Sequence, residues 1–212
     1  MEPVVVLART DTSDSGRAAA DWAEQEARSR GLPLRTLDDT APDGAVVTVC
    51  ETRAVTLLDT LPGPVVLVPD RYVPTLRHTD VVVGVDTRAP SDAALGFAFD
   101  SARLRGACLR AVHAWALPSQ AARLPFGVPE EDRARWEDHE VQLLSDALRP
   151  WRAKHPEVPV LEDVLLFPPA RALLHHRART ALIVVAGPPG TVVRDLVRES
   201  ACPVAVVPGR SG

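Results

Sequence analysis

The sequence predicts an α/β protein of two tandem doubly wound parallel-sheet domains, the first lacking its middle βα units. Three observations carry this. Valine runs open twice, at Val4 to Val6 and at Val81 to Val83, each leading through an Asp/Ser-rich turn into an alanine-rich helix. Each helix closes on Arg-Gly (Arg30-Gly31 and Arg105-Gly106) and is followed by Leu-Arg (Leu34-Arg35 and Leu109-Arg110). Each copy then ends on a proline-bracketed apolar strand, Pro64 to Pro69 and Pro203 to Pro208. Such self-similarity marks a repeated supersecondary unit, and valine runs without polar alternation suit parallel strands covered on both faces. The expected domains are residues 1–72 and 76–212.

The second copy is the more complete. A strand is expected over Asp80 to Val85, then a turn from Asp86 to Pro90. Ser91 is a suitable N-cap for a helix to about Arg105, with Ala94, Phe97, Ala98 and Ala102 on its apolar face. Cys108 to Trp115 reads as the next strand. A proline-bounded loop leads to a long helix, Pro129 to Trp151, with Glu130, Glu131 and Asp132 at its positive dipole end and Val141, Leu144, Leu148 and Trp151 as its inward stripe. A strand near Val160 to Phe167, a short helix over Ala170 to Ala178, and a strand from Leu182 to Ala186 follow. A helix over Val192 to Glu199 and a strand at Val204 to Val207 complete five strands with intervening helices, the order of a doubly wound fold.

The first copy has the same opening and close without the middle. Only residues 38–44 separate its second strand, Leu34 to Leu37, from the apolar run Val46 to Val49, too few for a long helix and another strand. A helix over Arg53 to Thr60 and the strand Val65 to Val68 are expected next. About 70 residues with a missing strand make a marginal core, so this half is expected to depend on the other. The two closing strands are expected near each other, packed about a pseudo-twofold axis as a dimer within one chain, with a further homodimer open.

Composition narrows the partners. The chain has 212 residues, 46% of them hydrophobic, and a net charge of −4, which argues against neutralising many phosphates and so against nucleic acid. No run reaches the roughly 18 to 20 apolar residues of a membrane helix, and the N-terminus lacks a basic n-region, so neither membrane nor export is expected. Cys50, Cys108 and Cys202 have no CxxC spacing and read as buried thiols of a cytoplasmic protein.

Candidate chemistry is sparse. His175 and His176 are adjacent on a short helix, point apart, and lack a third metal ligand. His113 sits among apolar residues as a strand or pocket-lining residue. Glu131 and Arg135, four apart, suit a solvated helix face. Ser13 and Ser15 lie in a turn without a nucleophile elbow. With no triad, paired carboxylates or metal cluster, no enzyme is expected, and no metal.

Residues 81–95, Val-Val-Val-Gly-Val-Asp-Thr-Arg-Ala-Pro-Ser-Asp-Ala-Ala-Leu, with residues 102–115 and the close at 191–208, resemble a universal stress protein domain. The resemblance covers all of the second copy and, more faintly, the first. It implies an adenine nucleotide alpha hydrolase-like fold and, in many members, ATP bound by an Asp after the first strand, a Gly-x-x-Gly turn, and a Gly-Ser/Thr opening the last helix. Here these fall on Asp86 (with Thr87 next), on Gly187 and Gly190 across Pro188-Pro189, and on Gly190-Thr191. One Gly190 therefore serves two elements, and the glycine-rich phosphate loop between them is missing. Phosphate loops work through successive backbone N–H groups aimed into one concavity, and proline has none. Thr191 remains as a candidate N-cap at a weak anion site. The first copy is expected to be emptier, with Arg9 where Asp86 stands and Glu51-Thr52 for Gly190-Thr191. The expected function is a non-enzymatic stress-response protein with a vestigial nucleotide site and no resident cofactor, ATP binding being weak at most; the alternative is an ATP-binding stress sensor.

Overall fold

A computed structural model describes residues 3–8, 13–37, 45–52, 58, 61, 63–70, 72–73, 79–118 and 128–209. In chain order they form β1 (Val4–Ala8), α1 (Asp14–Arg30), β2 (Leu34–Leu37), β3 (Ala45–Glu51), β4 (Val65–Val68), β5 (Asp80–Gly84), α2 (Asp92–Arg105) and β6 (Cys108–Ala114). Then come α3 (Glu130–Lys154), β7 (Val160–Leu165), α4 (Pro169–Leu173), β8 (Thr180–Ala186), α5 (Thr191–Glu199) and β9 (Val204–Val207). The expected helix over Arg53 to Thr60, the residue Arg9 and most of the segment joining the two halves lie outside the described residues.

All nine strands join one sheet in the order β2-β1-β3-β4-β9-β8-β5-β6-β7. Every pairing is parallel except β4 with β9, which run antiparallel with Val65 opposite Val206 and Leu67 opposite Val204. The two closing strands are thus direct neighbours at the middle of the sheet. Because successive strand residues face opposite sides, the valine runs feed two layers. Val81 and Val83 point with Leu109, Leu182 and Val184 toward α1, α2 and α3, whereas Val82 points with Ile183 and Val185 toward α4 and α5. The first of these cores is continuous across the β4–β9 seam, since it also holds Val5, Val47, Val66 and Ala205.

Helices α1 and α2 are bounded alike. The Ser13 hydroxyl accepts from the Gly16 N–H, and the Ser91 hydroxyl from the Ala94 N–H. Both helices end on a left-handed glycine, Gly31 at φ 64° and Gly106 at φ 58°. There the N–H of the following residue reaches back to the carbonyl of Ala27 or Ala102, the Schellman closure that favours glycine. The two Arg-Gly junctions of the sequence are these caps.

Three expectations need correction. Val141 is 45% exposed, and the buried stripe of α3 is Glu140, Leu144 and Leu148, at four-residue spacing, with Trp151 partly buried. The inward position nearest the cleft goes to a carboxylate because ionic partners wait there. The short helix ends at Leu173; residues 174–179 turn through Arg177 N–H to Leu174 carbonyl and Arg179 N–H to His176 carbonyl contacts. These tight three-residue turns bring the chain to β8 sooner than a continued helix would. Arg135 pairs with Asp132 at 3.6 Å, three residues away, not with Glu131.

Candidate functional site

In open α/β sheets a crevice forms outside the carboxyl ends of the strands where the winding direction reverses. Here the chain passes from β5 to β6 on one side and returns through β8 on the other, so the reversal lies between β5 and β8. A cavity of about 620 Å³ opens there. Its walls are apolar, from Val85, Val112, Leu173, Val185 and Val193, and its rim carries Asp86, Arg88, His113, Gly190 and Thr191.

Of the five residues named from sequence, the fold brings Asp86, Gly190 and Thr191 to this cavity. Asp86 is exposed at its mouth, and its Oδ1 accepts the Arg88 N–H at 3.0 Å, which closes the turn after β5. Thr87 does not line the cavity. It is buried beneath the turn, with its hydroxyl 3.5 Å from Nε2 of His113. Gly187 faces a different cavity, bordered by Leu58, Leu61, Val65 and Val206, and has φ 98°. Its position there follows from its N–H donating to the Val207 carbonyl at 2.9 Å.

Thr191 is not the N-cap. Gly190 holds that place, its carbonyl accepting the Arg194 N–H at 3.2 Å, and no side chain caps α5. Thr191 is the first helical residue, so its hydroxyl is not the group that closes the helix end. The N–H groups of the first turn have no partner within the helix. Across residues 187–190, then, Gly187 has spent its donor, Pro188 and Pro189 have none, and Gly190 alone retains one.

An ionic network that the sequence did not announce borders the cavity through Arg88 and His113. His113, on β6, is almost fully buried; its Nδ1 lies 3.0 Å from the Val85 carbonyl and its Nε2 2.9 Å from Oε2 of Glu140 on α3. Oε1 of Glu140 accepts from the Arg88 guanidinium at 2.7 Å. A carbonyl and a carboxylate both accept, so the ring fills both contacts only when each nitrogen carries a proton. Burial works against the charge of Glu140, yet the hydrogen bonds from Arg88 and His113 outweigh it and hold its carboxyl below the usual 4.5. Glu140 also raises Arg88, so that guanidinium is a firm cation at the rim. Hydrophobic periodicity could have flagged Glu140, which stands in register with Leu144 and Leu148, but an acid on a charged helix is usually a solvated one.

The rest of the sequence candidates are accounted for locally. Ser13 caps α1, and the Ser15 hydroxyl donates to Asp70 at 2.7 Å. Cys50, Cys108 and Cys202 are free, and burial, with Glu51 adding to it, pushes the Cys50 thiol up to about 12. Glu51 ends β3, and the Thr52 hydroxyl bonds Asp70. Among the described residues no three His, Cys, Asp or Glu side chains gather to hold a metal, and no helix is long and apolar enough to cross a membrane.

Residues 78–208 match the model of the universal stress protein family. A universal stress protein of Mycobacterium tuberculosis is 36% identical over 158 residues, covering 68% of this chain and 49% of that protein. A second from the same organism is 35% identical over 128 residues, 58% of this chain and 40% of its own length. The chain therefore spans about half the length of these relatives or less. In fold, it resembles a putative universal stress protein from Pseudomonas aeruginosa, with a TM-score of 0.53 at 15% identity over 98% of this chain and 83% of that one. A universal stress protein from Archaeoglobus fulgidus is similar at a TM-score of 0.52 and 14% identity, over 100% and 88% of the two chains.

Proposed function

The chain belongs to the universal stress protein family, and we propose that it is a non-enzymatic stress-response protein of the cytoplasm whose nucleotide site has lost its phosphate cradle. It acts through assembly or partner binding. The observation that carries this is the turn between β8 and α5: across residues 187–190 only Gly190 keeps an unspent backbone donor. A phosphate chain needs several such donors converging from one loop. Losing two charge-assisted contacts, at roughly 1.5 to 3 kcal/mol each, weakens binding by about a hundredfold or more.

In the same reading residues 1–72 are a truncated copy of 76–212, and the chain is a pseudo-dimer in itself. Outward from the β4–β9 pair the sheet runs β3, β1, β2 on one side and β8, β5, β6, β7 on the other. Strand for strand, β1, β2, β3 and β4 take the places of β5, β6, β8 and β9, and the antiparallel seam gives the relation its twofold sense. A further homodimer of the whole chain would pair through the edge strands β2 or β7 of the described sheet.

A second reading, an ATP-binding stress sensor, draws on the cavity itself. About 620 Å³ of apolar-walled space with Asp86, Arg88 and the start of α5 at its rim is the size and character of a small-ligand site. Isothermal titration with magnesium-ATP separates the two. The vestigial site predicts a dissociation constant in the high micromolar range or above and no hydrolysis; a value below about ten micromolar overturns it in favour of the sensor.

A further inference from the structure

The helix α4 stands between two cavities. Pro169 and Leu173 face the one already described, while Arg171, with Leu174 just past the helix end, lines a second groove, also of about 620 Å³. The second groove is lined by Arg171, His175, His176, Arg177, Arg179 and Glu199, together with Leu174 and Ala178. In a chain of net charge −4, three arginines and two histidines within nine residues are a local reversal of sign.

The acids nearby are already engaged. Glu199, the one carboxylate in the lining, pairs with Arg198 at 3.1 Å. Asp163 is bonded by Arg110 at 2.8 Å and lies 3.1 Å from His176. Asp80, fully buried, is shared by Arg110 and Arg179. Arg171 and Arg177 have no carboxylate partner among the described residues. Arg171 is positioned by an aromatic ring, its guanidinium lying 4.8 Å from the Phe167 ring centre, and His175 packs against the same ring at 5.8 Å. A guanidinium held on an aromatic face gives up less rotamer freedom when it binds. The positive surroundings also reach His176: burial first, then Arg110 and His175, lower its pKa despite Asp163.

We propose that this groove is a second binding site, for a small anion carrying two or more adjacent phosphate groups, recognised by the forked guanidinium groups of Arg171 and Arg177. Planar forks match phosphoryl oxygens two at a time, and the groove is far larger than one phosphate needs. The site depends on side-chain cations, not on backbone donors, and it is independent of the cleft between β5 and β8. Inorganic polyphosphate and the tail of a nucleotide share this chemistry.

The imidazole of His176 is a local reporter. NMR pH titration of the full chain, alone and with millimolar tripolyphosphate, should show its pKa rise, because a nearby anion favours the imidazolium. The Arg171→Ala/Arg177→Ala double variant, changed only at exposed positions, should bind tripolyphosphate at least tenfold more weakly by isothermal titration. Adenosine should leave His176 unmoved. ATP matching tripolyphosphate would make the phosphate chain the whole ligand, and ATP binding more tightly would make the ligand a nucleotide. An unchanged His176 titration with tripolyphosphate would overturn the proposal, and the native protein alone decides that. So would equal tripolyphosphate affinity in a folded double variant.

Discussion

Glu140 shows how one side chain can serve both stability and the site. It ties α3 to His113 on β6 and to Arg88 above the cleft, at 2.9 and 2.7 Å. Glu140→Gln should lower stability in urea by about 1.5 to 3 kcal/mol at neutral pH, since hydrogen bonds to charged groups are worth that much. The folded carboxyl lies below its ordinary 4.5, so its contribution is present above that pH and is lost as pH falls through the lower folded value. The gap between wild type and variant should therefore shrink as pH falls below 4.5; a gap that stays constant into acid would exclude the charge as its cause. The diproline gives a second residue-scale test. Replacing Pro188 and Pro189 with glycine restores two N–H groups, and magnesium-ATP affinity should rise by about a hundredfold, equivalent to ~2.8 kcal/mol. No gain would mean that the turn, not its missing donors, keeps phosphate out.

Among the elements, α1 and α2 are joined by an ion cluster that neither helix could build alone. Glu26 on α1, only 1% exposed, accepts from Arg30 of its own helix at 2.7 Å and from Arg105 at the end of α2. Arg30 also reaches Asp100 on α2 at 2.7 Å. The two arginines of the Arg-Gly junctions thus converge on one buried carboxylate. Glu26→Ala would leave Arg105 without its carboxylate partner and Arg30 with Asp100 alone, and a loss of about 3 kcal/mol is expected. Glu24→Ala, which removes the exposed Glu24–Arg28 pair, should cost about 0.5 kcal/mol or less. Chemical denaturation of the two variants side by side makes the check: equal effects would mean that the cluster contributes no more than a surface pair. Elsewhere α3 leans on α2 through Trp151, stacked on Phe99 at 5.8 Å. Gly96 makes room for it, since a Cβ there would stand 3.1 Å from the indole.

At the scale of the molecule, the sheet is one piece and the larger core crosses its middle. Residues 1–72 expressed alone would expose Val65 and Leu67 along an unpaired edge and uncover the faces that β9 and α2 now border. That fragment should be unfolded or aggregated, and a sharp cooperative melt would argue against the reading. Residues 76–212, with five strands and their helices, should fold and then dimerise through the freed β9 edge. Analytical ultracentrifugation would find a monomer if that edge is not the driving surface.

The sequence by itself located the strands, most of them as short apolar runs bounded by turn residues that suit a sheet covered on both faces, and it determined the cap at Ser91. The family resemblance pointed to Asp86, Gly190 and Thr191, which line the cavity, and the diproline between the two glycines is a local chemical fact. Tertiary structure alone decided which residues complete the site. His113 and Glu140 lie 27 residues apart, and Arg88 and Glu140 52 apart; no periodicity links the partners, which meet only once α3 packs against β7 and α2. The same holds for Thr87 turning inward, for Gly187 facing the other cavity, and for Val141 yielding the inward position to an acid. Local patterns report what a segment needs to bury, whereas partners distant in sequence are chosen by the packing that brings their segments together.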